Sequence, residues 1–288
     1  MLHYRSLFRF IFASLFFLLS NNALALYHSL PYPTTSYQIT ATRQSDSTKL
    51  DPLILSNQIN TPISAIIVNG NIQLRIRMLK SHQRNFYRIN QSQVSLVQTV
   101  RSGSTFVIQP ATSCKGRPLI PPALIAAPIP VTLGIKQLNL LVLNGNSSVY
   151  ASRLIAPNLH IITNTTGEIA LHGKVGLQEL VTNGAGTINI QGVNTASLRV
   201  INHGIADIHL AGVVKQLQAE LTSQGRLEAE ALIANTVFIK ACGQSQARIN
   251  VINFLNAFAY DQGFILYWGN PGRVTEYSTN SGNILRMN

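Results

Sequence analysis

The 288-residue chain is 46% hydrophobic and only 11% charged, whereas charged residues make up about a quarter of an ordinary soluble chain. That balance excludes disorder as the main state and leaves Ser, Thr, Asn and Gln to cover the surface, a habit of secreted all-β proteins. The net charge of +12 suits an anionic partner such as nucleic acid, anionic lipid or acidic glycan.

Residues 1–25 carry Arg5 and Arg9, an apolar run over 10–19, and Ala23-Leu24-Ala25. A basic start, a short apolar centre and a small-x-small end predict a signal peptide cleaved after Ala25. Export follows, to the periplasm, the cell surface or the medium. The run is too short to span a bilayer core of about 30 Å, and no later stretch is long enough. Residues 26–62 are weakly patterned and read as an irregular lead-in. The remaining residues, 63–288, read as one all-β domain.

Over 63–135 the sequence predicts strands at 64–68, 72–77 and 94–97, then a proline-rich crossing with Pro118, Pro121, Pro122, Pro128 and Pro130. Over 136–288 the chain repeats itself. Ser147, Gly167, Gly186, Ala206, Gly225, Ala247, Gly263 and Gly282 mark units of 19 or 20 residues, except around Ala247, where the steps are 22 and 16. Making Gly243 the sixth member restores the phase, with 244–246 as an insertion.

Two places on, Val149, Ile169, Ile188, Ile208, Leu227, Ile249, Ile265 and Ile284 form an aliphatic column. A second runs through Leu138, Leu159, Leu177, Leu198, Leu217, Val237, Leu255 and Val274. Between them Asn144, Asn164, Asn183, Asn202, Ser223, Cys242, Asp261 and Asn280 mark turns, where Asn and Asp accept left-handed backbone. Each unit is two short strands and a turn, unable to bury its inner face alone. Stacking about 4.8 Å apart gives a single-stranded β-solenoid (β-helix) of about eight rungs, with the asparagines as an amide ladder. An antiparallel sandwich does not predict columns that stay aliphatic for eight units.

These units resemble the bacterial auto-transporter adhesin head domain, also called the GIN domain. Gly167-Glu168-Ile169-Ala170-Leu171 and Gly186-Thr187-Ile188-Asn189-Ile190 carry the rung pattern. Tyr267-Trp268-Gly269-Asn270-Pro271 and Ser281-Gly282-Asn283-Ile284 carry the C-terminal end. The resemblance spans roughly residues 60–288. The family's Gly-Ser-Gly-Asp rungs keep their aspartate here only at Asp207, the mark of a divergent member. The resemblance implies an exported β-solenoid and brings no catalytic residues or cofactor.

No acid lies between Asp51 and Glu168, while Arg75, Arg77, Lys80, Arg84, Arg88, Arg101, Lys115, Arg117, Lys136 and Arg153 are basic. Residues 168–288 are balanced. The first half therefore offers a surface for anionic envelope material, with Arg75, Arg77, Lys80, Arg84 and Arg88 as candidates; a merely solvated basic face is the plainer alternative. Residues two apart share a strand face, which puts Arg75 with Arg77. At the far end Tyr260, Phe264, Tyr267, Trp268 and Tyr277 crowd the last rungs, either to cover the terminal core or, for Tyr267 and Trp268 above all, to stack on a glycan or protein partner.

The leading function is a non-catalytic, exported interaction surface, an adhesin or envelope-binding protein whose partner the sequence does not name; a homo-oligomer is compatible with it. The alternative is a polysaccharide hydrolase or lyase. Glu168 and Asp207, two rungs and about 9.6 Å apart at strand spacing, suit an inverting pair, although Asp207 also faces Arg226. His209 and Glu228 share the next outward column. The outward places after the glycines are Glu168, Thr187, Asp207, Arg226, Arg248, Phe264 and Asn283. Cys114 and Cys242 are a candidate disulfide in an oxidising compartment or two small buried residues. No histidine or cysteine spacing supports a metal site.

Overall fold

A computed structural model describes residues 54–112 and 127–287. The expected leader, most of the lead-in, Cys114 and most of the proline-rich crossing lie outside the described residues.

Period-2 alternation builds nearly every element. The first half supplies β1 (Ile54–Ile59), β2 (Ala65–Asn69), β3 (Ile72–Met78), β4 (Asn85–Asn90), β5 (Val97–Ser102), β6 (Thr105–Pro110), β7 (Ile129–Ile135) and β8 (Leu140–Gly145). Six long strands follow: β9 (Ser148–Thr165), β10 (Glu168–Thr182), β11 (Thr187–Asn202), β12 (Asp207–Leu221), β13 (Arg226–Ala241) and β14 (Gln246–Ala259). The end is β15 (Phe264–Trp268), β16 (Arg273–Ser278) and β17 (Asn283–Arg286). The strand expected over 94–97 is corrected. Residues Gln91–Leu96 form a 3-10 helix whose start is capped by Asn90, its side chain accepting from the Ser92 N–H, and β5 opens only at Val97.

The chain is a β-solenoid of about 7 turns. Each long strand carries both halves of a rung, bending at register shifts instead of breaking. The bend needs glycine at Gly192, where φ is +79° and an added Cβ would overlap the Gly173 carbonyl of the rung before. Two faces result. On the first, β1 and β4 lie antiparallel beside β7, followed by β3, the leading halves of β9 to β14, then β15 and β17. On the second, β5 and β6 lie beside β2 and β8, followed by the trailing halves and β16. The N-terminal strands are thus part of the stack: Ala65 to Asn69 pair in parallel with Leu140 to Asn144.

The core runs between the faces. On the first, Leu74, Val149, Ile169, Ile188, Ile208, Leu227, Ala247 and Ile265 stack in register, none more than 1% exposed. Each of the larger side chains, Ala247 apart, contributes roughly 1.5–3 kcal/mol relative to exposure. The expected column is corrected at its sixth place: Ala247, not Ile249, faces Leu227 and Ile265. Ser245 therefore takes the place given to Ala247 or Gly243, and it is fully buried. The turn column is corrected too. Ser223, Gly243, Asp261 and Asn280 hold the left-handed residues, at φ 71°, 70°, 59° and 59°. Cys242 precedes the turn residue, and Asn202 points inward, donating to the Ala206 carbonyl at 2.9 Å. Of the amide ladder, Asn144 donates to Asn69 at 2.8 Å, while Asn280 donates to the Asp261 carboxylate at 3.1 Å.

Candidate functional site

Parallel pairing of β3 with β7 and antiparallel pairing of β7 with β4 align Arg75, Thr132 and Arg88 in one cross-strand row. Arg77, Gly134 and Phe86 form the next row. In-register neighbours share a sheet face, and Arg75, Arg77 and Arg88 are all exposed on the first face. The Arg88 guanidinium lies 4.7 Å from the centroid of the Phe86 ring, a cation–π distance. A Cβ on Gly134 would overlap that ring, so the glycine lets Phe86 lie across β7 towards the Arg77 row.

The row continues into Tyr150, opposite Arg75. Its hydroxyl donates to Glu168 Oε2 at 2.9 Å. Burial first, and then this bond, push the Tyr150 hydroxyl above the usual phenol range. Glu168 is also the first carboxylate met along the described chain, since residues 54–167 contain none. Lys80 and Arg84 stand in the turn between β3 and β4, beside the arginine face. The Lys80 N–H donates to Gln83, and Arg84 Nη1 donates to Gln58 at 3.2 Å. The structure thus brings Arg75, Arg77 and Arg88 onto one face and leaves Lys80 and Arg84 at its margin.

The carboxylates weighed for acid–base chemistry are engaged elsewhere. Glu168 accepts from Tyr150, and Asp207 lies 3.9 Å from Arg226 on the next rung. His209 and Glu228 are in register, but Glu228 lies 3.4 Å from Arg248. The outward column after the glycines holds Gln246 in place of Arg248, following the shift at Ser245. No group of three metal-binding side chains occurs among the described residues. The Cys242 thiol is half-buried, and burial raises its pKa.

Tyr267 is turned inward and is 6% exposed, which corrects its candidacy as a stacking ring: it covers the terminal core. Trp268 closes β15, half-buried. The outward rings at this end are others. Phe258 and Tyr260 stack with planes 2° apart, and Tyr277 packs at 6.0 Å from Tyr260. Phe238 and Phe254 meet at 5.5 Å on the same second face. Sequence reading missed Phe238, Phe254 and Phe258, although Phe238 and Phe254 adjoin Val237 and Leu255 of the second column and Phe258 lies between buried Ala257 and Ala259. It also missed Phe86 and Gly134, because counting charges does not show which ring a guanidinium rests on.

Residues 65–271 match the family model described as "Putative auto-transporter adhesin, head GIN domain". The chain belongs to this family. Among solved structures, a putative adhesin from Parabacteroides merdae is similar at a TM-score of 0.68 and 18% identity, over 82% of this chain and 96% of that one. A putative lipid binding protein from Parabacteroides distasonis is similar at 0.66 and 17%, over 82% and 97%. At these identities the likeness is one of fold. No curated protein matches the chain. The GIN-domain solenoid accounts for the rungs, and among the described residues no helix is long and apolar enough to cross a membrane.

Proposed function

We propose that this GIN-domain chain is an exported, non-catalytic binding scaffold, and that its first face holds anionic envelope material at Arg75, Arg77 and Arg88. The observation that carries the reading is the row in which Arg75 and Arg88 flank Thr132, drawn from a stretch of sequence, residues 54–167, without a single carboxylate. Three guanidiniums kept on one rigid face repel one another, and an anion relieves that repulsion. Guanidinium forks match phosphate and carboxylate geometry. A protein of similar fold bears the name "putative lipid binding protein", which makes headgroup phosphate the first probe to use.

The test is co-sedimentation with phosphatidylglycerol vesicles beside neutral phosphatidylcholine vesicles. The scaffold should pellet with the former alone and lose retention as salt passes about 0.15 M, where the screening length is about 8 Å. Arg75→Glu with Arg77→Glu should abolish retention with the fold intact. Equal retention on both vesicle types, or indifference to the double reversal, refutes the reading.

A further inference from the structure

The outward side of the second face changes character towards its C-terminal end. On β12 the outward places are Gln216, Gln218 and Glu220, and β13 carries Thr236, Phe238 and Lys240 in register with them. The same three columns continue as Phe254, Asn256 and Phe258 on β14, and as Arg273, Thr275 and Tyr277 on β16. Leu255, Ala257 and Ala259, next to the β14 rings, are fully buried, so alternation turns the rings away from the core. They cover no core, and β12 builds its rung with polar side chains in the same places.

The rings hold one another in position. Phe238 and Phe254 lie 5.5 Å apart, and Tyr277 stands 6.3 Å from Phe258 and 6.0 Å from Tyr260. Such separations are those of packed aromatic pairs, and rings fixed on paired strands lose little freedom when a ligand arrives. Tyr277 is 45% exposed, and the other rings are half-buried, which leaves ring surface open to solvent. Hydrogen-bonding side chains stand among them. Asn256 lies between Phe254 and Phe258 along β14, with Phe238 on the rung before and Thr275 on the rung after.

This mixture selects the partner. A protein hot spot is a dry cluster with polar groups at its rim, whereas here rings and polar groups alternate place by place, as the C–H faces and hydroxyl edges of a pyranose do. Charge narrows the choice. The Arg273 guanidinium lies 5.5 Å from the Phe254 ring centroid, and among the described residues it has no carboxylate partner. Lys240 lies 5.9 Å from the Tyr260 centroid but is already held by Glu220 at 3.5 Å. Arg273 is therefore the cation left to a ligand, and its fork matches a carboxylate. Arg273 and Tyr277 are four residues apart on β16, about 13 Å at strand rise, a span longer than one sugar.

We propose that this platform binds an acidic oligosaccharide, its pyranose rings against Phe258, Tyr260 and Tyr277 and a carboxylate on Arg273. The platform is on the second face and the arginine cluster on the first, so the two sites are tested separately. A uronic acid and a sialic acid supply the same carboxylate, and two probes distinguish them.

The experiment is calorimetric titration of the intact protein with hexagalacturonate, with a sialic acid hexamer and with uncharged maltohexaose. At least one acidic hexamer should bind about tenfold more tightly than maltohexaose, the surplus of a charge-assisted pair, and the hexamer that does so names the source. Arg273→Gln should weaken that binding about tenfold, and Tyr277→Ala about fivefold. Both side chains are exposed, so the melting midpoint should hold; if Tyr277→Ala lowers it, Arg273→Gln decides. Acidic hexamers that bind no tighter than maltohexaose, or whose binding is unchanged in either folded variant, overturn the platform. Vesicle retention that falls in Tyr277→Ala while no hexamer binds makes the rings a membrane anchor and also overturns it.

Discussion

Glu276 pairs in register with Ala257, a fully buried core position one rung back. Every earlier member of that column is aliphatic: Ile66, Leu141, Ile161, Leu180, Val200, Ala219, Ile239 and Ala257. On the neighbouring strand Arg286 occupies the inward place over Tyr267 and donates to the Gly269 carbonyl at 3.1 Å. Burial, and then its bond to Glu276, hold the Tyr267 hydroxyl above the usual phenol range. The last rung therefore ends the stack with inward-pointing charges, a device that keeps an open sheet edge from pairing with another copy.

Replacing those charges should expose the end. Glu276→Leu with Arg286→Leu should turn a monodisperse protein into a concentration-dependent series of larger species by light scattering. An unchanged mass at high concentration would show that the edge is protected by something else.

The core register makes a sharper demand. Ile208 lies between Ile188 and Leu227 with no exposed surface. Ile208→Ala should cost about 2–5 kcal/mol, read as a lower denaturation midpoint. Ile208→Asp should yield no soluble folded protein, because an unpaired buried carboxylate is not tolerated. Soluble, native-like Ile208→Asp would put Ile208 on the surface and end this register.

Much of this was legible in the sequence, because a solenoid repeats the same physical demand every rung. The aliphatic columns, the shared face of Arg75 and Arg77 and the Asp207 to Arg226 contact all follow from a period and an alternation. The slip at Ser245 was not legible: Ile249 looks like a better column member than Ala247, and only stacking shows that the smaller residue faces Leu227. Nor was the joining of β2 to β8, a pairing of strands some 75 residues apart with no local signal.

Gly134 and Phe86 form a testable pair. Gly134→Ala should cost about 1–3 kcal/mol by crowding the ring, and it should weaken vesicle binding by displacing Arg88 from Phe86. Adding Phe86→Ala should recover most of the stability without recovering the binding. Strict additivity of the two losses in a thermal unfolding cycle would contradict the contact.

Burial raises the Cys242 pKa, so less thiolate is present at neutral pH and the thiol should react slowly. In a Cys114→Ser variant, maleimide labelling at pH 7.5 should be several-fold slower in the folded protein than in denaturant. Equal rates would contradict the burial. Labelling the unmutated protein with and without reductant then tests whether Cys242 pairs with Cys114.

The most direct test of the arginine face is hydrogen–deuterium exchange on the protein bound to phosphatidylglycerol vesicles. The account predicts slowed exchange in β3, β4 and β7, around Arg75, Arg77 and Arg88, with β16 and β17 unchanged. Protection confined to β14 through β17, with the arginine strands exchanging as in the free protein, would contradict it and move the binding surface to the aromatic end.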